Sequence, residues 1–118
     1  MIVSVDGSVA TPPYEQIRVQ VRDAVAGGAL AAGAKLPTVR ALADQLGLAV
    51  NTVARAYREL ETDGIIETRG RAGSFVAPQG DAGQQQAQVA AREFVERARR
   101  LGLDDASALD LVRAAQRG

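Results

Sequence analysis

The sequence predicts a mainly α fold with one small β-hairpin, an α+β chain, and three observations support this prediction. Apolar side chains recur at helical spacing in three successive stretches between residues 12 and 64, and glycine ends each stretch. Two short β-prone runs around a glycine-bearing tip follow directly. A polar linker then leads into two further stretches with helical spacing.

The first helix is predicted within TPPYEQIRVQVRDAVAGG, residues 11–28. Its prolines suit the first turn of a helix, where the missing N–H is not needed, and Gly27 and Gly28 end the helical pattern. The apolar positions that share one face of this helix are Ile17, Val21, Ala24 and Val25.

Two short helices are predicted next, with a very tight junction between them. Thr38 is a suitable N-cap for the second helix and Gly47 ends it, whereas Gly64 ends the third. Such a pair suggests a helix-turn-helix, although any compact helical hairpin would give the same pattern. The apolar positions are Val39, Leu42, Ala43 and Leu46 in the second helix and Val53, Ala56, Tyr57 and Leu60 in the third.

A β-hairpin is predicted directly after the third helix, from the runs 65–68 and 74–76. Three helices followed by a two-stranded hairpin is the element order of a winged helix-turn-helix. The tip of this wing carries Arg69 and Arg71 beside Gly70 and Gly73. Glycines allow backbone amides to approach a phosphate closely.

The composition becomes polar from Gln79 onward, in QGDAGQQQAQ, which indicates a linker to two more helices. A helical hairpin this short has little core of its own, so it needs a partner surface, either the first domain or a second copy. We expect a winged helix-turn-helix domain at residues 1–78 and a helical hairpin for dimerisation at residues 79–118. The apolar positions are Ala87, Ala91, Phe94, Val95, Ala98 and Leu101, and then, after a cap at Asp104 or Asp105, Ala108, Leu111, Val112 and Ala115.

The composition argues against an enzyme and against a membrane protein. Cysteine and histidine are both absent, which removes thiolate nucleophiles, imidazole bases and the usual zinc ligands. The single lysine, Lys35, lies in a predicted loop, and no carboxylate pair or phosphate-binding glycine loop has the right setting. No apolar run reaches about 18 residues, and MIVSVDGSV does not resemble a signal peptide. We expect a cytoplasmic protein without catalytic residues, cofactor or metal.

The charges balance, with 14 Lys plus Arg against 14 Asp plus Glu, so the bulk charge gives no support to nucleic-acid binding. The cations are nevertheless almost all arginine, whose planar fork suits phosphates and guanine edges. A GC-rich genome would explain the same preference, and composition alone leaves both explanations open.

The polar face of the third helix is the candidate contact surface. Asn51, Arg55 and Arg58 fall at i, i+4 and i+7 and therefore project together. Asn can pair with adenine and Arg with guanine in the major groove, while Thr52 can bond to phosphate or base. The alternative is a solvated face with an ordinary Arg55–Glu59 ion pair, and this alternative stays open above all for Arg58.

Arg40 is a further candidate, because it lies in the first turn of the second helix, beside the positive end of the helix dipole. A cation is unfavourable there unless an anion is close. A backbone phosphate would supply that anion, whereas a side chain that simply extends into water is the alternative.

The stretch GALAAGAKLPTVRALADQLGLAVNTVARAYRELETDGIIETRGRAGSFV, with PPYEQI before it, resembles the GntR-family winged-helix DNA-binding domain. LPTVRALA, NTVARAYRELETDGII and GSFV match it in register. Two short helices after the wing look like the YtrA subfamily, whose members are small dimeric regulators, commonly repressors of ABC-transporter operons. About 40 residues follow Pro78, too few for the large C-terminal domains of other members.

The resemblance implies DNA contacts at Arg40, at the start of the recognition helix and in the wing. Ala49 and Val50 stand where many relatives have Ser, Thr or Arg, so we expect Asn51, Thr52 and Arg55 to read the bases. Gly70 and Gly73 have two residues between them rather than one, which leaves open which wing arginine enters the minor groove.

We therefore expect a homodimer that binds double-stranded DNA at an inverted repeat, with recognition helices about 34 to 36 Å apart. An effector, if one exists, would bind between the domains or at the dimer interface, where an Ala-lined crevice favours a small uncharged molecule. The alternative is a helical protein–protein interaction adaptor without DNA binding, which would expose apolar side chains on the third helix.

Overall fold

The computed structural model, which describes residues 3–118, contains five α-helices and a two-stranded antiparallel hairpin. The predicted fold class is therefore confirmed. The chain divides into two compact units, a first one that ends at Gln79 and a second one, Gly80–Gly118. The elements in chain order are α1 (Pro13–Ala26), α2 (Val39–Leu46), α3 (Val50–Thr62), β1 (Ile66–Thr68), β2 (Ser74–Val76), α4 (Ala82–Arg100) and α5 (Asp105–Arg117).

Local signals account for the ends of α2. The Thr38 hydroxyl accepts a 3.0 Å hydrogen bond from the Ala41 amide at the N-terminus of the helix. Gly47 ends the helix in the left-handed region, at φ 66°, where a residue with a Cβ would be strained. The chain can therefore turn within three residues and enter α3.

The core of the first unit is centred on α3, against which both α1 and α2 pack. The predicted apolar positions of α3 are all buried, whereas Ala24 and Val25 of α1 are only half-buried. Because α1 and α2 pack against one side of α3, the opposite side of this helix is exposed to solvent. The buried core residues of α1, α2 and α3 are Ile17, Val21, Leu42, Ala43, Val53, Ala56, Tyr57 and Leu60.

The wing is wider than the sequence indicated, because the connector between α1 and α2 pairs with β2. In the hairpin itself Glu67 pairs with Phe75, and Lys35 of the connector lies opposite Phe75 on the other edge of β2. The Gly33 amide donates to the Val76 carbonyl at 2.8 Å, and the Val76 amide donates to the Ala34 carbonyl at 2.8 Å. The connector therefore fixes the base of the wing.

The second unit consists of α4 and α5, and its buried residues are two alanines, Ala98 and Ala108. The predicted linker is shorter than expected, because α4 begins at Ala82 with a capping box formed by Asp81 and Gln84. Asp104 is the N-cap of α5 and accepts a 2.8 Å hydrogen bond from the Ser107 amide. None of the helices in the described part of the chain has the length and hydropathy that crossing a bilayer requires.

Candidate nucleic-acid interface

The start of α3 presents a polar surface to solvent. Asn51 and Arg55 are exposed and Thr52 is half-buried, while Val53 directly behind them is fully buried. The N-cap, Ala49, offers no side-chain acceptor, and the Thr52 amide donates to the Ala49 backbone carbonyl at 3.1 Å. The positive end of the helix dipole therefore lies at this exposed surface.

A partly buried hydrogen bond helps to fix the orientation of α3. The Tyr57 hydroxyl donates to the Pro37 carbonyl at 2.7 Å, which joins the middle of α3 to the residue just before the N-cap of α2. Burial raises the pKa of Tyr57 to about 12, so the hydroxyl keeps its proton at neutral pH. The two helices therefore present their outer faces in a defined relation.

Arg55 is held by two neighbours. The carbon at the centre of its guanidinium lies 3.8 Å from the centre of the Tyr14 ring of α1. Its Nε lies 3.8 Å from a carboxylate oxygen of Glu59, so the ion pair anticipated from the sequence is present. The side chain is nevertheless 54% exposed.

Arg40 and Arg58 extend into solvent. Both are exposed, and neither side chain has a hydrogen-bond or ion-pair partner among residues 3–118. Arg40 lies in the first turn of α2, as predicted, and no acidic side chain lies in that turn. Both guanidinium groups are therefore available to an anion from outside the chain.

The two wing arginines have different environments. Arg69 donates from Nη2 and Nε to one carboxylate oxygen of Glu67, at 2.6 and 2.9 Å, and its guanidinium lies 4.3 Å from the centre of the Phe75 ring. Arg71 is exposed and has no partner among the described residues. Gly70 and Gly73 both adopt positive φ, at 54° and 108°, which the tight turn of the tip requires.

Lys35 belongs to this surface, although no pattern in the sequence indicated it. Its Nζ lies 6.0 Å from the Phe75 ring centre, and a Cβ added at Gly73 would lie 3.3 Å from its Cε. The pairing of the connector with β2 places this cation at the wing. Because that pairing joins residues about 40 positions apart, helical periodicity and turn signals could not reveal it.

The second unit carries an apolar groove between α4 and α5. Its rim contains a bidentate ion pair, in which Arg99 donates to the two carboxylate oxygens of Asp105 at 3.1 and 3.0 Å. The Arg99 guanidinium lowers the pKa of Asp105 below its ordinary value. The apolar lining comprises Ala90, Ala91, Phe94, Val95, Ala108, Leu109 and Val112.

Four exposed members of the expected apolar face lie outside this groove, namely Ala87, Leu101, Leu111 and Ala115. Leu101 is 67% exposed and Leu111 is 50% exposed, and neither lines the groove. Leu109, which the predicted stripe did not include, lines it instead. The difference arises because the short α5 turns Ala108, Leu109 and Val112 towards α4.

Comparison with known proteins supports a regulatory, DNA-binding role. Residues 13–76 match the family model described as "Bacterial regulatory proteins, gntR family". The HTH-type transcriptional regulator Rv1152 of Mycobacterium tuberculosis is 51% identical over 105 residues, which are 89% of this chain and 86% of that protein. The HTH-type transcriptional repressor YtrA of Bacillus subtilis is 44% identical over 77 residues, 64% of this chain and 58% of that protein.

A solved structure adds a complex with DNA. The DNA-binding domain of AraR bound to operator ORX1 superposes with a TM-score of 0.57 at 25% identity, over 65% of this chain and 96% of that chain. These relatives are regulators rather than enzymes. The chain belongs to the GntR family, and it is a DNA-binding transcriptional regulator with a winged helix-turn-helix.

Proposed function

We propose that the chain is a homodimeric repressor that reads an inverted-repeat operator through the first turns of α3. The observation that carries this proposal is the division of α3 into a fully buried apolar face and an exposed polar face at its N-terminal end. Asn51 and Arg55 would contact base edges, and Thr52 a base or a phosphate. The adaptor alternative receives less support, because the exposed face of α3 is mainly polar.

Phosphate contacts would come from cations that have no ion-pair partner among residues 3–118. Arg40 and Arg58 meet this condition at the helices, and Arg71 meets it in the wing. We assign the minor-groove contact to Arg71 because Arg69 is held by Glu67 and Phe75. The exposed Gly70 at the wing tip would add a backbone amide donor, whereas the amide of Gly73 already donates to the Gly70 carbonyl at 3.4 Å.

We propose that a second copy of the chain covers the groove of the second unit. Two helices that bury two alanines between them leave large side chains exposed, including Phe94 at 36%, Leu109 at 49% and Val112 at 38%. An apolar surface of this kind is stable in water when a partner covers it. A two-fold pairing of groove against groove would give the symmetry that an inverted repeat demands.

The proposals that the chain represses transcription and that its target is an ABC-transporter operon rest on similarity to known proteins. Repression is supported by the relative named as a repressor, and an ABC-transporter operon is supported by the resemblance to the YtrA subfamily. We further propose that a small uncharged effector modulates the dimer, acting in the cytoplasm where bacterial DNA lies. Calorimetry against a metabolite panel tests the effector, and the absence of any heat would contradict it.

Selection from random duplexes followed by fluorescence anisotropy tests the central proposal. The selected sequence should contain two inverted half-sites about one helical turn apart. Binding to the selected duplex should exceed binding to a scrambled duplex of equal length by at least about 1,000-fold at physiological salt. Failure to enrich any sequence, or a single half-site without symmetry, would contradict it.

A further inference from the structure

The contact between α1 and the polar face of α3 points to a residue outside the predicted interface. Tyr14 is half-buried and packs against the core, while its ring lies under the exposed guanidinium of Arg55 at 3.8 Å. That distance corresponds to close stacking of a guanidinium on an aromatic ring. Arg55 therefore does not extend freely into water, unlike Arg58 on the same helix.

Stacking leaves the hydrogen-bonding capacity of Arg55 open. A guanidinium stacks through its flat face, whereas its N–H donors point outward in the plane of the group. Glu59 lies 3.8 Å from Nε, too far for a hydrogen bond and close enough for electrostatic attraction. The donors that would pair with guanine are therefore unoccupied while the plane of the group is fixed.

A second cation, Arg18, competes with Arg55 for the carboxylate of Glu59. Arg18 of α1 lies 3.9 Å from Glu59 and 3.9 Å from Asp63, and it also forms an ion pair with Glu15. Glu59 is thus shared between two arginines and does not close a bidentate pair with Arg55. The ring of Tyr14 then sets the orientation of the group.

We propose that Tyr14 is a positioning residue for base discrimination: its ring holds the guanidinium of Arg55 in one plane and so prepares it to pair with a guanine. This inference rests on the proposed base contact of Arg55. A long side chain loses conformational freedom when it binds, and a side chain that is already ordered loses less. Tyr14 would thus contribute to specificity without touching DNA.

The test compares Tyr14→Leu with Tyr14→Phe on the selected duplex and on a duplex whose guanine facing Arg55 is replaced. Tyr14→Phe keeps the ring and should preserve the ratio of the two dissociation constants. Tyr14→Leu should reduce that ratio by about three- to tenfold, the range expected when one long side chain must be ordered on binding instead of beforehand. An unchanged ratio in Tyr14→Leu would overturn the proposal.

A double-mutant cycle separates this role from the folding of α1. In an Arg55→Ala background, Tyr14→Leu should cause no further loss of discrimination. A further loss of equal size would show that Tyr14 acts on the fold and not through Arg55. If Arg55→Ala alone leaves discrimination intact, the proposed base contact of Arg55 fails, which is a distinguishable outcome.

A measurement on the free protein tests the stack directly. Ring currents of Tyr14 should shift the Nε–H proton resonance of Arg55 upfield in the wild type and in Tyr14→Phe. The shift should be absent in Tyr14→Leu, which lacks the ring, and Arg55→Lys identifies the resonance by removing it. An Arg55 resonance at the ordinary arginine position in the wild type would overturn the proposal even if every variant proved unstable.

Discussion

The hydroxyl of Tyr57 donates a 2.7 Å hydrogen bond to the carbonyl of Pro37, and this contact joins the recognition helix α3 to the entrance of α2. The two helices are adjacent in sequence, yet Gly47 alone would leave their relative rotation free. This partly buried hydrogen bond, together with the packing of α2 against α3, removes that freedom. The contacts of the buried face of α3 therefore determine which of its side chains are exposed.

Tyr57→Phe should lower the free energy of unfolding by about 0.5 to 1.5 kcal/mol, because the half-buried Pro37 carbonyl would lose its hydrogen-bond partner. Urea unfolding followed by circular dichroism measures this change. Tyr14→Phe removes a hydroxyl that has no hydrogen-bond partner among the described residues, and it serves as the control with little expected change. Equal stability of Tyr57→Phe and the wild type would contradict the role assigned to the hydrogen bond.

Asn51→Ala should cost about 1 to 3 kcal/mol on the selected operator and little on scrambled DNA, because a bidentate contact to adenine serves only the correct base. Anisotropy titrations on both duplexes measure the difference. Gln116→Ala, an exposed change near the end of α5, should leave both affinities unaltered. Loss of the same size on both duplexes would reassign Asn51 to phosphate binding.

Arg71→Ala should make the negative slope of log K against log salt shallower, where K is the association constant for the operator. The change should be about 0.9 for each phosphate that the wing no longer neutralises. Arg69→Ala should change the slope less, because the Glu67 carboxylate already neutralises that guanidinium. Titrations at a series of salt concentrations provide both slopes. The opposite ranking of the two variants would place Arg69, not Arg71, at the DNA.

Leu109→Asp should dissociate the dimer, because it puts a charge into the apolar groove between α4 and α5. Leu111→Asp is a matched control on the same helix, since Leu111 is 50% exposed against 49% for Leu109 but does not line the groove. Sedimentation equilibrium distinguishes monomer from dimer. A monomeric wild type, or equal dissociation in both variants, would contradict the proposed interface.

Acid should weaken the second unit through the ion pair between Arg99 and Asp105. The pKa of Asp105 in the folded protein lies below its ordinary value of 3.8, so the pair stabilises the fold fully above that pH and its contribution disappears as pH falls through the lowered value. Asp105→Asn removes this dependence. Sedimentation and circular dichroism between about pH 7 and pH 2 should show acid sensitivity in the wild type beyond that of the variant.

The sequence predicted the parts of the fold that depend on local patterns. The N-cap at Thr38 and the glycine that ends α2 have local causes, and the structure places both as expected. The same holds for the apolar stripe of α3 from Val53 to Leu60, which is buried. The register of the connector against β2 depends on pairing between distant residues and was not predictable. For the same reason Lys35 and Tyr14 were missed, since each becomes relevant only when another element is packed beside it.

In the candidate site, too, the features with local causes could be predicted and those that need contacts between elements could not. Periodicity places Asn51, Arg55 and Arg58 on one face, and all three side chains are exposed in the structure. The ion pair between Arg55 and Glu59 could be predicted from their spacing, and it is present. The stacking of Arg55 on Tyr14 and of Arg69 on Phe75 could not be predicted, because it requires contacts between different elements.

Tethered cleavage from position 50 tests most directly whether the start of α3 lies in the DNA groove. The chain has no cysteine, and Val50 is 45% exposed beside Asn51, so Val50→Cys creates one attachment point for iron–EDTA. We expect strand cleavage of the selected operator at two symmetric positions, one inside each half-site, and no cleavage from a Leu111→Cys conjugate. Even cleavage along the duplex from position 50, or stronger cleavage from position 111, would contradict base reading by α3.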